Sequence, residues 1–263
     1  MARTTKVLYT VRESAEAVAH QAAVWFSSIV AEAVRRKGVA RIAISGGTTP
    51  KNAFALWADD DALRKATPWD KLELYWVDER CVPPDHAESN YRMTREALLA
   101  KVPVPPEKIF RMEGELPPQE AAARYESALR NNFRLEGAEV PRFDLVQLGM
   151  GDDGHTASLF PHTDAINELG RLVVANHVPQ KDAWRITLTW PVINQADQVF
   201  FLIEGQAKTQ VLHDVLLGPY DPDLHPAQLI RPANGVLSFL LDQAAAAMLP
   251  RVVDGHGTLE ITR

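Results

Sequence analysis

A glycine-rich segment in the middle of the chain combines an imidazole with two carboxylates. It is the stretch GMGDDGHT at 149–156, directly after the apolar run 143–148. Histidine titrates near neutrality, so His155 can accept a proton from water. A carboxylate from Asp153 or Asp78 would orient the ring and stabilise the imidazolium. The segment therefore predicts a proton-transfer site at the carboxyl end of a buried strand.

The same segment matches the dinucleotide-binding pattern G-x-G-x-x-G, but its surroundings argue against a nucleotide. Asp152 and Asp153 would repel a pyrophosphate. No acidic residue ends the strand predicted at Val173-Val174, about 20 residues on, where a ribose partner belongs. We expect no cofactor. No pair of His or Cys residues has the spacing of metal ligands, and only His155 with its neighbouring carboxylates leaves a metal site open.

A second glycine-rich turn, Ser45-Gly46-Gly47-Thr48, lies between a predicted strand and a predicted helix. Free backbone N–H groups, the positive end of the helix dipole and two hydroxyls suit such a turn to an anion. It lacks the Lys-Ser/Thr ending of a nucleotide P-loop, so a phosphate monoester is favoured over a nucleoside triphosphate. On its own, the turn is equally consistent with a tight connection whose glycines only relieve crowding.

Three basic residues are further candidates for binding an anion. Arg80, which ends Asp78-Glu79-Arg80, could bind phosphate or neutralise an oxyanion. The alternative is an ion pair with Asp78 or Glu79, which is the role we expect for Glu79. Arg185 and Lys208 are candidate phosphate ligands, with Lys208 predicted on the first turn of a helix. Taken singly, each is more typical of a solvated charge.

Strands and helices alternate along the sequence. Apolar residues at helical spacing predict a long helix over 14–37 that ends at Gly38. Further helices are predicted over 50–66, after 89–90, and over 117–135, 206–216 and 237–249. Strands are predicted at 6–11, 41–44, 72–77, 143–148, 173–174, 185–190 and 199–203. The alternation predicts a mostly parallel sheet with helices on both faces, Rossmann-like, as a single α/β domain over residues 1–263.

In such sheets, ligands bind beyond the carboxyl ends of the strands. Polar and glycine-rich clusters follow four of the predicted strands, at 45–49, 78–80, 149–155 and 205–208. If these strands are parallel, the four clusters share one edge. The sequence therefore predicts a single ligand site there.

Composition limits the classes of partner. A net charge of −6 gives no support for nucleic acid or an anionic membrane. No continuous apolar run reaches the roughly 18–20 residues of a membrane span. The single cysteine excludes an internal disulfide and suits a reducing cytosol, and the first residues show no signal-peptide pattern. We expect a cytoplasmic protein, monomeric or a small homo-oligomer, that acts on a small molecule.

Six motifs together resemble the 6-phosphogluconolactonase family. They are SGGTTP at 45–50, DER at 78–80, SN at 89–90, LGMGDDGHTASLFP at 148–161, RITLT at 185–189 and GQAK at 205–208. The long central motif is highly specific, and the motifs keep the family's order over nearly the whole chain. The related glucosamine-6-phosphate deaminases have an Asn-Glu segment after the histidine and an aromatic residue after Asp-Glu. This sequence has Ala157–Phe160 and Arg80 there, which favours the lactonase.

The resemblance implies hydrolysis of 6-phospho-D-glucono-1,5-lactone, a phosphorylated sugar lactone, to 6-phospho-D-gluconate in the oxidative pentose phosphate pathway. We expect the turn at 45–48, with Arg185 and Lys208, to hold the phosphate. His155 would activate water, and Arg80 with the glycine-loop N–H groups would stabilise the oxyanion. The predicted catalytic residues are His155, Asp78, Arg80 and Asp153, and the predicted binding residues are Ser45, Gly46, Gly47, Thr48, Gly151, Arg185 and Lys208. The alternatives are a glucosamine-6-phosphate deaminase or isomerase, or a non-catalytic sugar-phosphate sensor.

Overall fold

Eleven strands form two sheets in the computed structural model, which describes residues 4–262. The strands are β1 (Thr4–Arg12), β2 (Ala40–Ile44), β3 (Leu72–Trp76), β4 (Asp78–Arg80), β5 (Ile109–Phe110), β6 (Leu145–Leu148), β7 (Val173–Val178), β8 (Ala183–Leu188), β9 (Gln198–Ile203), β10 (Val236–Asp242) and β11 (His256–Thr262). Eight of them pair in the order β11-β1-β10-β9-β6-β2-β3-β5. Every pair in this sheet is parallel except β11 with β1. The predicted mostly parallel sheet is confirmed.

Helices cover both faces of this sheet. They are α1 (Ala15–Lys37), α2 (Thr48–Asp59), α3 (Asp61–Ala66), α4 (Asn90–Thr94), α5 (Pro118–Phe133), α6 (Trp190–Ile193) and α7 (Thr209–Leu217). Successive strand residues point to opposite faces, so Ile42 and Ile44 lie in one apolar core and Ala43 in the other. The first core also contains residues of α1 and α2, and the second contains residues of α5, α6 and α7. The prediction of helices on both faces is also confirmed.

Helix α1 is a core helix of this layer. Ser14 caps its first turn, and Gly38 ends it in the left-handed conformation with φ 80°. Within residues 4–262 it is the one helix long and apolar enough to cross a membrane, with a mean hydropathy of 1.2. Its Val18, Phe26 and Val30 are fully buried against the sheet and α2. Because buried core helices commonly reach such hydropathy, this is weak grounds for a membrane span.

A small antiparallel sheet lies beside the large one. Its order is β4-β8-β7, and a single residue, Val77, separates β3 from β4. The strands predicted at 173–174 and 185–190 belong here rather than to the parallel sheet. Val173 and Ile186 join the same core as the α5 face of the large sheet. The small sheet therefore continues the structure beyond the carboxyl end of β3.

Further elements differ from their prediction, and β4, β5 and α6 have no predicted counterpart. The helix predicted over 237–249 is wrong: Val236–Asp242 is β10, paired between β1 and β9. A short continuous apolar run fits a buried parallel strand as well as a buried helix, so periodicity could not separate the two. The helix over 50–66 is divided at Asp60, whose side chain accepts the N–H groups of Ala62 and Leu63 to start α3. Strand β11, at the sheet edge, was not predicted.

Four neighbouring parallel strands end at the predicted polar clusters. The strands are β9, β6, β2 and β3, adjacent in that order. The clusters at 205–208, 149–155, 45–49 and 78–80 follow them in turn. The prediction that all four clusters share one edge is confirmed.

Candidate active site

A cavity of about 580 Å³ opens at this edge of the sheet. Ten of the eleven predicted site residues line it: Ser45, Gly46, Gly47, Thr48, Asp78, Arg80, Gly151, His155, Arg185 and Lys208. The eleventh, Asp153, contacts the ring of His155. Within residues 4–262, no group of three His, Cys, Asp or Glu side chains could hold a metal ion.

His155 and Asp153 form a hydrogen-bonded pair. Nδ1 of His155 lies 2.5 Å from Oδ1 of Asp153, and the backbone N–H of His155 donates to the same oxygen at 3.1 Å. Partial burial acts to raise the pKa of Asp153, but the hydrogen bonds and charge of His155 lower it to about 2. An ionised carboxylate can only accept, so Nδ1 carries the proton. In the neutral ring, Nε2 is then the free base. Phe160 stacks on this ring with centroids 3.9 Å apart.

The glycine loop has a backbone arrangement that requires two of its glycines. The N–H of Gly151 donates to the carbonyl of His155 at 2.8 Å, which closes the loop. A Cβ at Gly151 would lie 2.0 Å from Nδ1 of His155, so no side chain fits beside the pair. Gly154 has φ +79°, and its carbonyl accepts the N–H of Ala227. The loop is therefore built around the position of the imidazole.

Asp78 is not the carboxylate that holds the ring. Its Oδ2 accepts the hydroxyl of Ser158 at 2.7 Å, and the amide of Asn90 donates to its backbone carbonyl at 2.9 Å. Asp78 is 7% exposed and Ser158 is 1% exposed. Of the two aspartates that the sequence left open, Asp153 contacts His155, and Asp78 fixes the segment that follows the glycine loop.

Glu79 does not form the ion pair that we expected. It is buried, and its carboxylate accepts the N–H groups of Arg80, Asn90 and Tyr91 as well as the hydroxyl of Ser89. Burial raises the pKa of Glu79, and these backbone hydrogen bonds act against that rise. Glu79 therefore holds the N-terminus of α4, where the side chain of Asn90 packs against Gly46.

Arg80 and Arg185 lie opposite each other on the antiparallel strands β4 and β8. Arg80 donates to the carbonyl of Glu88, and Arg185 donates to that of Trp184. Neither guanidinium forms an ion pair with a carboxylate within residues 4–262. Burial and the positive charge of Arg80 lower the pKa of Arg185. Like charges directly opposite each other destabilise a strand pair, so the arrangement suits a bound dianion.

The turn at 45–48 presents the free N-terminus of α2. Gln147, in β6, accepts the N–H of Ser45 at 3.0 Å and donates to its hydroxyl at 2.9 Å, which fixes the start of the turn. The N-cap is Gly47, with φ 118°, and no side chain caps the helix. Its first N–H groups are thus left for a ligand. Gln147 was not predicted as a site residue; its only signal is a polar residue inside an apolar strand.

Two carboxylates contact the polar groups of this region. Asp152 forms an ion pair with Lys208, which precedes α7 on a short 3₁₀ turn rather than lying inside an α-helix. Glu204, which sequence reasoning missed, lines the cavity and accepts the hydroxyl of Thr49 at 3.0 Å. Its other oxygen is buried without a hydrogen-bond partner among residues 4–262. Burial, with a smaller contribution from the charge of Asp242, raises the pKa of Glu204.

Known proteins match this chain over most of its length. The family described as glucosamine-6-phosphate isomerases/6-phosphogluconolactonase matches residues 13–239. A 6-phosphogluconolactonase of Synechocystis sp. is 41% identical over 231 residues, which are 87% of this chain and 92% of that protein. A human 6-phosphogluconolactonase is 41% identical over 187 residues, 71% of each chain.

A solved structure shares the architecture as well as the sequence. The 6-phosphogluconolactonase from Trypanosoma cruzi superposes with a TM-score of 0.81 at 30% identity and covers 92% of this chain and 97% of its own. The chain belongs to the glucosamine-6-phosphate isomerase/6-phosphogluconolactonase family.

Proposed function

We propose that this protein hydrolyses 6-phospho-D-glucono-1,5-lactone to 6-phospho-D-gluconate, a step of the oxidative pentose phosphate pathway. One observation carries the proposal: a single cavity is lined by His155, which pairs with Asp153 after the end of β6, and by an unpaired positive site at the ends of β2 and β3. The first can activate water, and the second can hold a phosphate. The names of these relatives support this choice of substrate.

The phosphate is held at the α2 side of the cavity. The N–H groups of residues 46–48, which follow Ser45 in the turn, face the anion at the positive end of the helix dipole. Arg80 donates to the carbonyl of Glu88, and Asn90, two residues further on, packs against Gly46 of the turn. Arg80 and the turn at 45–48 therefore both contact the short segment 88–90. We therefore assign Arg80, together with Arg185, to the phosphate rather than to the oxyanion. Lys208 joins them as a third cation.

The chemistry takes place at His155. Nε2 takes a proton from water as the water oxygen attacks the C1 carbonyl of the lactone. The ionised Asp153 stabilises the imidazolium that forms. The N–H of Met150, which lines the cavity and makes no hydrogen bond within residues 4–262, is a donor for the oxyanion. The imidazolium then returns the proton to the ring oxygen as the C1–O bond breaks. These reaction steps require no cofactor, and we propose that the reaction takes place in the cytoplasm.

Two variants and two substrates test the proposal. Hydrolysis is followed by proton release, above the spontaneous rate, with the phosphorylated and unphosphorylated lactones. His155→Ala should lower kcat about 10²- to 10⁴-fold, the contribution of a general base. Arg185→Ala should weaken binding of the phosphorylated lactone about 10- to 100-fold, as expected for a charge-assisted hydrogen bond of about 1.5–3 kcal/mol.

The controls separate the proposed roles from general damage. Arg35→Ala removes a guanidinium whose side chain is 75% exposed on α1, and it should behave as wild type. Arg185→Ala should leave the unphosphorylated lactone unaffected; an equal loss there would contradict the phosphate assignment. A wild-type protein that releases ammonia from glucosamine 6-phosphate and leaves the lactone intact would refute the proposed function.

A further inference from the structure

The ammonium of Lys208 already has an anionic partner inside the protein. It pairs with the carboxylate of Asp152, which lies beside Asp153 on the glycine loop. The side chain of Lys208 is 24% exposed and lines the cavity, whereas that of Asp152 is 73% exposed and stands outside it. A cation that could serve a phosphate is therefore drawn toward the rim by a carboxylate.

The backbones on both sides of this pair are held by other contacts. The turn that carries Lys208 follows Gly205, whose N–H donates to both carboxylate oxygens of Asp242 at 3.1 and 3.0 Å. The glycine loop is closed by the Gly151–His155 hydrogen bond and tied by Gly154 to Ala227. Neither segment needs the Lys208–Asp152 contact for its shape. The Lys208–Asp152 ion pair can therefore break, and Lys208 can take another anionic partner, while both backbones stay in place.

We propose that Asp152 is an internal anion that competes with the substrate's phosphate for Lys208, so that it sets how tightly the phosphate subsite binds. This inference rests on the proposed phosphate role of Lys208. A phosphate dianion carries more charge than one carboxylate, and it also meets Arg80 and Arg185 in the cavity. The displaced Asp152 is already largely in water, so its release costs little desolvation. Lys208 therefore changes partner when the phosphate enters.

Asp152→Asn tests this exchange with inorganic phosphate as the probe. Titration calorimetry at low ionic strength should show phosphate binding about two- to fivefold more tightly to the variant, the range of an exposed ion pair. The KM for the phosphorylated lactone should fall by the same factor. The gain should shrink at high salt because exposed charges are screened. If the Lys208–Asp152 ion pair only stabilised the structure, Asp152→Asn would instead weaken phosphate binding and lower kcat.

Lys208→Met and a matched surface variant complete the design. In the Lys208→Met background, Asp152→Asn should have no further effect on phosphate affinity. If Asp152→Asn raised phosphate affinity equally in the Lys208→Met background, the effect would come from the loss of a nearby negative charge and not from exchange at Lys208, and the proposal would be overturned. Unchanged or weaker phosphate binding to Asp152→Asn alone would also overturn it. Asp59→Asn makes the same charge change in an exposed Lys101 ion pair outside the cavity, and it should leave affinity unchanged.

Two further measurements keep the outcomes separate. Asp152→Ser replaces the Asn variant if thermal unfolding shows that the latter does not fold. Lactone hydrolysis by the wild-type protein is measured independently. If the wild-type protein did not hydrolyse the lactone, the proposed function would be refuted, while the phosphate titrations would still decide the role of Asp152.

Discussion

Adding one methyl group at Gly151 should displace the histidine–aspartate pair. The Cβ of Gly151→Ala would lie 2.0 Å from Nδ1 of His155 and 2.5 Å from Oδ1 of Asp153. Ordinary van der Waals contact begins at 3.4 Å, so the imidazole must move by about 1.4 Å. Since Gly151 has no positive φ, alanine fits its backbone, and steric displacement is the dominant effect. A misplacement of this size costs about 10²-fold in rate, or about 2.7 kcal/mol in the activation free energy.

Steady-state kinetics with the phosphorylated lactone measures the loss, and the ring resonances of His155 report its displacement. We expect kcat to fall about 10²-fold with little change in KM, because the phosphate site is untouched. Gly149→Ala provides a comparison in the same loop, since its Cβ would meet nothing within 4 Å and its φ is not positive. Its kcat should stay at least about tenfold above that of Gly151→Ala. Near-normal kcat in Gly151→Ala would refute the assignment of His155 at this position.

Two predictions concern stability. Ser158→Ala removes the hydroxyl that donates to the buried Oδ2 of Asp78, so the free energy of unfolding measured in urea should fall by about 1–3 kcal/mol; a loss under about 0.5 kcal/mol, typical of surface changes, would contradict this role. For Glu204, whose folded pKa is raised, the contribution to stability should fall as pH rises above about 4.3, the ordinary glutamate value, because ionisation is costlier in the folded state. Glu204→Gln lacks this cost, so its stability relative to wild type should rise as pH increases from about 4 through the folded pKa and then level off; a difference that stays constant across this range would contradict the raised pKa.

The positions of the reactive segments could be predicted because their signals are local. Each of the four apolar strands leads into a glycine-rich or charged segment, and the carboxyl ends of parallel strands meet at one edge. The alternation of strands with helices fixes the parallel direction of β2, β3, β6 and β9. Ten predicted residues consequently line one cavity.

The partners of these residues could not be predicted, because they depend on contacts distant in sequence. Gln147 reaches Ser45 across 102 positions, and Glu204 reaches Thr49 across 155. Lys208 meets Asp152 across 56 positions. These pairings depend on the order of the strands in the sheet and on the direction in which a side chain points from a turn. Neither property produces a periodic pattern in the sequence. The choice between Asp153 and Asp78 is the exception that was open to reasoning, since only Asp153 is two residues from the histidine.

The strand order explains how a single edge can serve both ends of one substrate. Adjacent strands lie about 4.8 Å apart, so the end of β6, which bears His155, is about 5 Å from the end of β2 and about 10 Å from that of β3. In the proposed binding mode, a lactone carbonyl over β6 has its phosphate over the α2 turn, one strand position away, and beside Arg80, two positions away. On the other side of β6, β9 brings Lys208 to the rim, where Asp152 holds it. In the proposed binding mode, Lys208 therefore has to leave Asp152 to reach a phosphate held by Arg80 and Arg185, which is the exchange that Asp152→Asn tests.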